Sequence, residues 1–225
     1  MGFDEFLGVV SIEQLYSNLD DRARELFGPD ATQHDLTTSV ANRFGRKLKS
    51  LGFDVSVWTD GMLKSHVVQL DSDIEVHCWT HWSPGHARVR QFVDAGHRLV
   101  NFNDRQLYYA LGNTLVYPYP TARSILESRW TPGEFSPMLP VSQPSPIPPA
   151  LAGRQAIEGP PYPDYLEGAV FSIWCDNPTV QTEDEVFLGV KEPLAAFALR
   201  CKDPHYDGTV ADVRTVAEHA SAHLP

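Results

Sequence analysis

The chain has 225 residues, with 18 Lys and Arg against 29 Asp and Glu, for a formal net charge of −11. That length suits one domain, or one and a half, with a sizeable buried core, and the acidic balance argues against nucleic acid or an anionic membrane as partner. Apolar residues make up 42 %, yet no uninterrupted run approaches the ~20 residues of a membrane helix.

The opening MGFDEFLGVVS lacks the basic region and cleavage site of a signal peptide, and localisation stays open. Gly2–Phe6 reads as a partial strand and Ser11–Leu26 as a helix. Asp35–Leu51 is a stronger helix, with Leu36, Val40, Phe44, Leu48 and Leu51 on one face and Gly52 as its stop signal. Phe53–Trp58, Ile74–Trp79, His97–Asn101 and Ala169–Trp174 are short β-branched or aromatic runs that predict strands. Pro84–Ala95, closed by Gly96, and Glu183–Arg200 predict further helices, and Val210–His223 a weak one within a C-terminal segment, 204–225. Strands alternating with helices predict an α/β fold with a parallel sheet.

One stretch breaks the rhythm. Residues 118–163 hold 12 of the 18 prolines, so neither a long helix nor a central strand runs through them. A linker between domains is the weaker reading; a long surface loop, roughly 115–166, is the better one, because a strand–helix pair resumes after it.

Three strands end in tryptophan: Trp58 before Thr59-Asp60, Trp79, and Trp174 before Cys175-Asp176. In a parallel α/β barrel the C-terminal strand ends build the active site, and sugar rings stack on aromatic planes. Any one of these tryptophans taken alone is equally a core residue. Asp4-Glu5 follows a strand-like start; residue type alone favours an exposed carboxylate pair, and adjacent carboxylates on an extended segment face opposite ways, unlike the pair of an ordinary glycosidase. His77, His81 and His86 have no carboxylate pattern to match a metal site. Cysteines 78, 175 and 201 are too few and scattered for a disulfide framework, and Cys175 reads as a small buried residue.

Taken together, the motifs resemble glycoside hydrolase family 20, the β-N-acetylhexosaminidases, and its small, dispersin-like branch. Gly2-Phe3-Asp4-Glu5 is similar to the family's His-x-Gly-x-Asp-Glu, Trp58-Thr59-Asp60-Gly61 to its Trp-Asn-Asp-Gly, and Ile74–Trp79 to its strand ending in Trp. Asn101-Phe102-Asn103 with Leu107-Tyr108 is similar to its Asn-Tyr-Asn…Leu-Tyr, and Ser172-Ile173-Trp174 to its Ser-Ile-Trp.

The resemblance implies hydrolysis in which the substrate's 2-acetamido oxygen is the nucleophile, with no cofactor and no metal. It makes Asp4 the residue that orients the acetamido nitrogen, Glu5 the general acid and then base, and Tyr108 the hydroxyl that holds the acetamido oxygen. Trp58, Trp79 and Trp174 would wall the pocket, with Asp60 and Asp176 also binding substrate; Tyr109 would pack. The partner is an N-acetylhexosamine-containing glycan.

The sequence also departs from the family. An eight-stranded barrel takes about 250 residues, and the family's acidic pair closes the fourth strand, whereas here it stands at positions 4 and 5. The expectation is therefore a partial barrel containing about strands 4 to 8 over residues 1–203. It lacks the sugar-gripping arginine, is inactive alone, and is completed by a missing N-terminal half or by self-association. The alternative is a carbohydrate-binding remnant that keeps an aromatic cleft without turnover.

Overall fold

In a computed structural model the described residues are 18–59, 61–79, 86–137 and 153–222. The predicted strand Gly2–Phe6 lies outside them, as do Asp4, Glu5, Asp60 and His81. In chain order the elements are helix α1 (Leu19–Phe27), helix α2 (Gln33–Lys49), strand β1 (Ser56–Trp58), strand β2 (Glu75–Cys78), helix α3 (Val89–Asp94), strand β3 (Leu99–Asn101) and helix α4 (Asp104–Leu107). There follow β4 (Tyr108–Ala110), α5 (Ala122–Glu127), β5 (Glu134–Phe135), β6 (Gln155–Ala156), β7 (Leu166–Ala169), β8 (Ser172–Trp174), α6 (Glu183–Lys202) and α7 (Val210–Ser221). The fold is α/β. The sheet orders are β1-β2-β3-β7, β4-β8 and β5-β6. β1 runs parallel to β2, with Trp58 opposite His77, and β4 parallel to β8, with Tyr108 opposite Ser172.

The chain divides into two compact units: residues 1–100, 137–155 and 164–167, and residues 101–136, 156–163 and 168–225. In the first, strand residues Val57, Val76 and Leu99, with Ile74 just before β2, are fully or almost fully buried, as is Phe92 of α3. Helix α2 begins with a capping box between Thr32 and Asp35. Its buried positions are Gln33, Asp35, Thr38, Ala41, Asn42 and Gly45. A Cβ at Gly45 would stand 3.0 Å from Ile74 Cδ1, so the helix reaches the sheet through small side chains. The predicted apolar stripe therefore faces outward: Val40, Phe44, Leu48 and Leu51 are 41, 55, 38 and 59 % exposed. The periodicity located the helix, and the core takes its opposite, small-residue face.

The second unit is built on α5, α6 and α7, which pack on one another around Leu107, Ile125, Trp130, Ala196 and Val213. Three capping boxes start these helices, through Thr121, Thr182 and Thr209. Helix α7 buries Val213, in that core, and Ala217. Two expectations are corrected. The single run Ala169–Trp174 is split: β7 lies beside β3, β8 pairs with β4, and between them Val170 N–H donates to Asn101 O at 2.9 Å. Cys175 is exposed, not buried, because it follows the end of β8; Cys78, inside β2, is the buried one.

Candidate functional site

Tyr108 is set in place by a polar lattice in the second unit. Asn103 caps α4, its Oδ1 accepting from Arg105 and Gln106 N–H at 3.1 and 3.2 Å. Asn101 Oδ1 accepts from Asn103 N–H at 2.9 Å, and Asn101 Nδ2 donates to the carbonyls of Pro132 and Glu134, both at 2.9 Å. Asn103 Nδ2 donates to Glu134 O at 2.9 Å, and Ser136 Oγ binds the Asp104 carboxylate. Asn101, Asn103, Asp104 and Ser136 are each at most 2 % exposed, so these groups would be costly to bury unpaired. The one-turn helix then delivers Tyr108 directly into β4.

Successive strand residues point to opposite sides, and here the two tyrosines separate. Tyr108 packs against Tyr117 at 5.6 Å between ring centroids and against Trp174 at 5.5 Å, tilted by 53°. Tyr109 stacks on Tyr119 at 4.3 Å and accepts from Gln181 Nε2 at 3.1 Å. Tyr108 is almost fully buried, whereas Trp174 is 37 % exposed and Asp176 lies on the surface. The Tyr117 hydroxyl is buried, with Asp104 as its charged neighbour. Burial first, then the charge of Asp104, pushes its pKa well above the ordinary phenol value, with the Arg105 charge acting against them.

In the first unit, Trp58 meets His77 edge-on at 5.3 Å, and Thr59 N–H donates to His77 O at 3.1 Å. Glu75 lies 3.0 Å from His77 Nε2; burial lowers the imidazole pKa, and the Glu75 hydrogen bond opposes that shift only in part. Trp79 is half-buried, just after β2. Asp71 is bound by Arg46 at 2.7 Å and Asp73 by Lys49 at 2.6 Å, so both serve as ion-pair partners of α2. Among the described residues no group of three His, Cys, Asp or Glu side chains could hold a metal ion.

The polar lattice was missed by sequence reasoning. Asn101 and Asn103 stood in a recognised motif without a role, and Ser136, 32 residues beyond Asp104, sits in a proline-rich stretch where no spacing links it to them.

No family model matches the chain. It is 30 % identical over 186 residues to lacto-N-biosidase of Bifidobacterium bifidum, an alignment covering 83 % of this chain and 14 % of that protein. The structure is similar to a catalytic module of the pneumococcal exo-β-D-N-acetylglucosaminidase StrH (TM-score 0.51, 20 % identity, 75 % of this chain and 37 % of that one). It is also similar to Dispersin B, with TM-score 0.53 and 16 % identity over 85 % of this chain and 58 % of that one. The α/β, parallel-stranded architecture is therefore one that this chain shares with both solved structures. The likeness to the solved structures is one of fold, and the likeness to the lacto-N-biosidase extends over most of this chain. The chain spans about one seventh of the lacto-N-biosidase and between a third and three fifths of the solved chains.

Proposed function

We propose that this polypeptide supplies the catalytic part of a glycosidase that removes β-linked N-acetylhexosamine residues by substrate-assisted, retaining hydrolysis. Residues 1–203 correspond in this reading to about strands 4 to 8 of a (β/α)8 barrel, followed by a C-terminal segment, 204–225, that contains α7. Substrate-assisted glycosidases dispense with the enzyme nucleophile of the usual two-carboxylate scheme. The acetamido oxygen attacks the anomeric carbon, the glycosidic bond breaks, and Glu5 gives its proton to the leaving oxygen. Asp4 holds the acetamido N–H as positive charge develops on the oxazolinium ring. Water, losing a proton to the Glu5 carboxylate, then attacks the same carbon and reopens the ring with the β configuration kept.

The observation that carries the reading is the Tyr108–Trp174 pair. A buried tyrosine, fixed by the Asn101–Asn103 lattice, lies 5.5 Å from a half-exposed tryptophan, as a hydroxyl donor beside an N-acetyl-stacking wall requires. Substrate-binding roles for Trp58, Asp60, Trp79, Trp174 and Asp176 rest on the family pattern.

The test is hydrolysis of 4-methylumbelliferyl N-acetyl-β-D-glucosaminide. In the natural full-length protein, turnover is expected to fall by roughly 10²–10⁴ in Glu5→Gln, the size of a general-acid contribution. Residues 1–225 alone are expected to be inactive. Full activity in Glu5→Gln would overturn the proposal. Saturable binding of N-acetylglucosamine without turnover by the full-length protein would replace it with the binding-only reading.

A further inference from the structure

A second cleft lies in the unit formed by residues 101–136, 156–163 and 168–225, away from Tyr108 and Trp174. Its volume is about 520 Å³, and its walls are the C-terminal end of α6, the loop 204–208 and the turn that closes α5. Helix α6 has 20 residues, so Arg200 stands roughly 25 Å along the axis from the end that follows β8.

Arg200 is 6 % exposed. Its Nη1 donates to Pro204 O at 2.8 Å and its Nη2 to Leu126 O at 3.1 Å, while the buried Nε finds no acceptor among the described residues. Both partners are neutral carbonyls. Arg129 lines the same cleft, and among the described residues its guanidinium makes no hydrogen bond or ion pair. Burial, then the Arg129 charge, holds the Arg200 pKa below its ordinary value, although Asp203 and Asp207 act against this from a distance.

The backbone points the same way. Arg129 has φ +53° and ends α5, with Trp130 N–H donating back to Ile125 O at 3.4 Å. Glycine holds such a helix-terminating position without a Cβ clash. An arginine there accepts conformational cost and gains only a side chain, and that side chain is spent on the cleft.

Two guanidiniums with no carboxylate in contact leave a demand for oxygen acceptors. The planar fork of arginine matches the paired oxygens of a phosphate or sulfate. Thr131 and His205 line the same space. Asp207, also in the lining, offers an acceptor to hydroxyl groups on the rest of a ligand. The volume exceeds what a bare anion fills and lies within the range of small-molecule sites.

We propose that this cleft binds a small hydroxylated molecule through a phosphate-type oxyanion held between Arg129 and Arg200. It is a site separate from the one that contains Tyr108.

Binding is measured by calorimetry on the full chain with inorganic phosphate, glucose 6-phosphate and glucose, at constant ionic strength set with sodium chloride. Phosphate is expected to bind saturably, glucose 6-phosphate more tightly, and glucose not at all. Arg129→Gly relieves the left-handed backbone while deleting the guanidinium. It is expected to leave the thermal midpoint within a few degrees and to weaken phosphate binding about tenfold or more, the loss of one charge-assisted contact. No saturable binding of either phosphate compound, or equal binding in Arg129→Gly, would overturn the proposal. A sugar phosphate no tighter than phosphate would remove the role given to Asp207.

Discussion

Asp35 offers the sharpest test of how the first unit is held together. Its side chain is fully buried, with no cation beside it among the contacts described. One oxygen accepts from Val67 and Val68 N–H, each at 2.7 Å; the other accepts from Thr32 N–H at 2.8 Å and Thr32 Oγ1 at 3.2 Å. His66 N–H lies 3.1 and 3.2 Å from the pair. Burial raises the pKa of such a carboxyl, but four backbone donors together outweigh it and hold the group far below the usual carboxylate value. The residue thus caps α2 and pins residues 66–68, in the loop that leaves β1.

Asp35→Asn keeps the shape and reverses one set of donors. With the amide oxygen toward Val67 and Val68, the NH₂ group confronts the Thr32 N–H. One buried donor is then left unpaired, at about 1–3 kcal/mol, and the remaining bonds lose their charge assistance, about 1 kcal/mol or more in sum. The expected cost is therefore about 2–4 kcal/mol at pH 7, a large share of a typical domain's stability. Because the folded pKa is depressed, the carboxylate's contribution is complete above the unfolded value near 4 and is lost as pH falls from there toward the folded one. Urea unfolding at pH 7 and pH 3 should show a difference between wild type and variant that shrinks at the lower pH. Amide exchange at residues 66–68 should speed up in the variant. A cost under 1 kcal/mol at pH 7, or one that is the same at both pH values, would refute this account.

Three further expectations follow from the packing. His97 is 1 % exposed, with Nδ1 bound to Ile74 O at 2.9 Å and Nε2 unpaired. Burial lowers its pKa, so wild-type stability should fall as pH drops below the unfolded value near 6.5, and His97→Phe should flatten that slope in urea melts. A Cβ on Gly189 would lie 2.1 Å from Tyr109 Oη, so Gly189→Ala should cost about 1–3 kcal/mol, and Tyr109→Phe should recover part of it in a double-mutant cycle. The exposed stripe Val40, Phe44, Leu48 and Leu51 should drive self-association. Sedimentation should find species larger than one chain that Phe44→Glu disperses, and a monomer at every concentration would count against it.

Much of the fold was legible because helices announce themselves over many residues. Glu183–Lys202 carries a Thr182–Glu185 capping box at its start, and the end of α2 was marked by Gly52. The strands were harder, since most are three or four residues long, too short for an alternation to show. Leu107-Tyr108-Tyr109 was recognised as a motif but not as a helix end running into a strand. The burial of α2 could not be read either. Its stripe is apolar, yet the approach of Ile74 selects glycine at position 45, a preference that only the neighbouring residue reveals. Tyr108 and Trp174 were singled out from sequence and are neighbours in space, whereas the asparagine lattice that holds Tyr108 depends on a partner more than thirty residues away.

The central claim is that the substrate's own acetamide does the attacking. The measurement that tests it most directly is kcat/KM of the full-length protein on aryl β-glucosaminides bearing N-acetyl, N-fluoroacetyl, N-difluoroacetyl and N-trifluoroacetyl groups. Each fluorine weakens the carbonyl oxygen as a nucleophile, so the rate should drop steeply along the series, with Tyr108→Phe lowering the N-acetyl rate most. A rate independent of fluorination, or equal turnover of the β-glucoside that has no acetamide, would contradict the account.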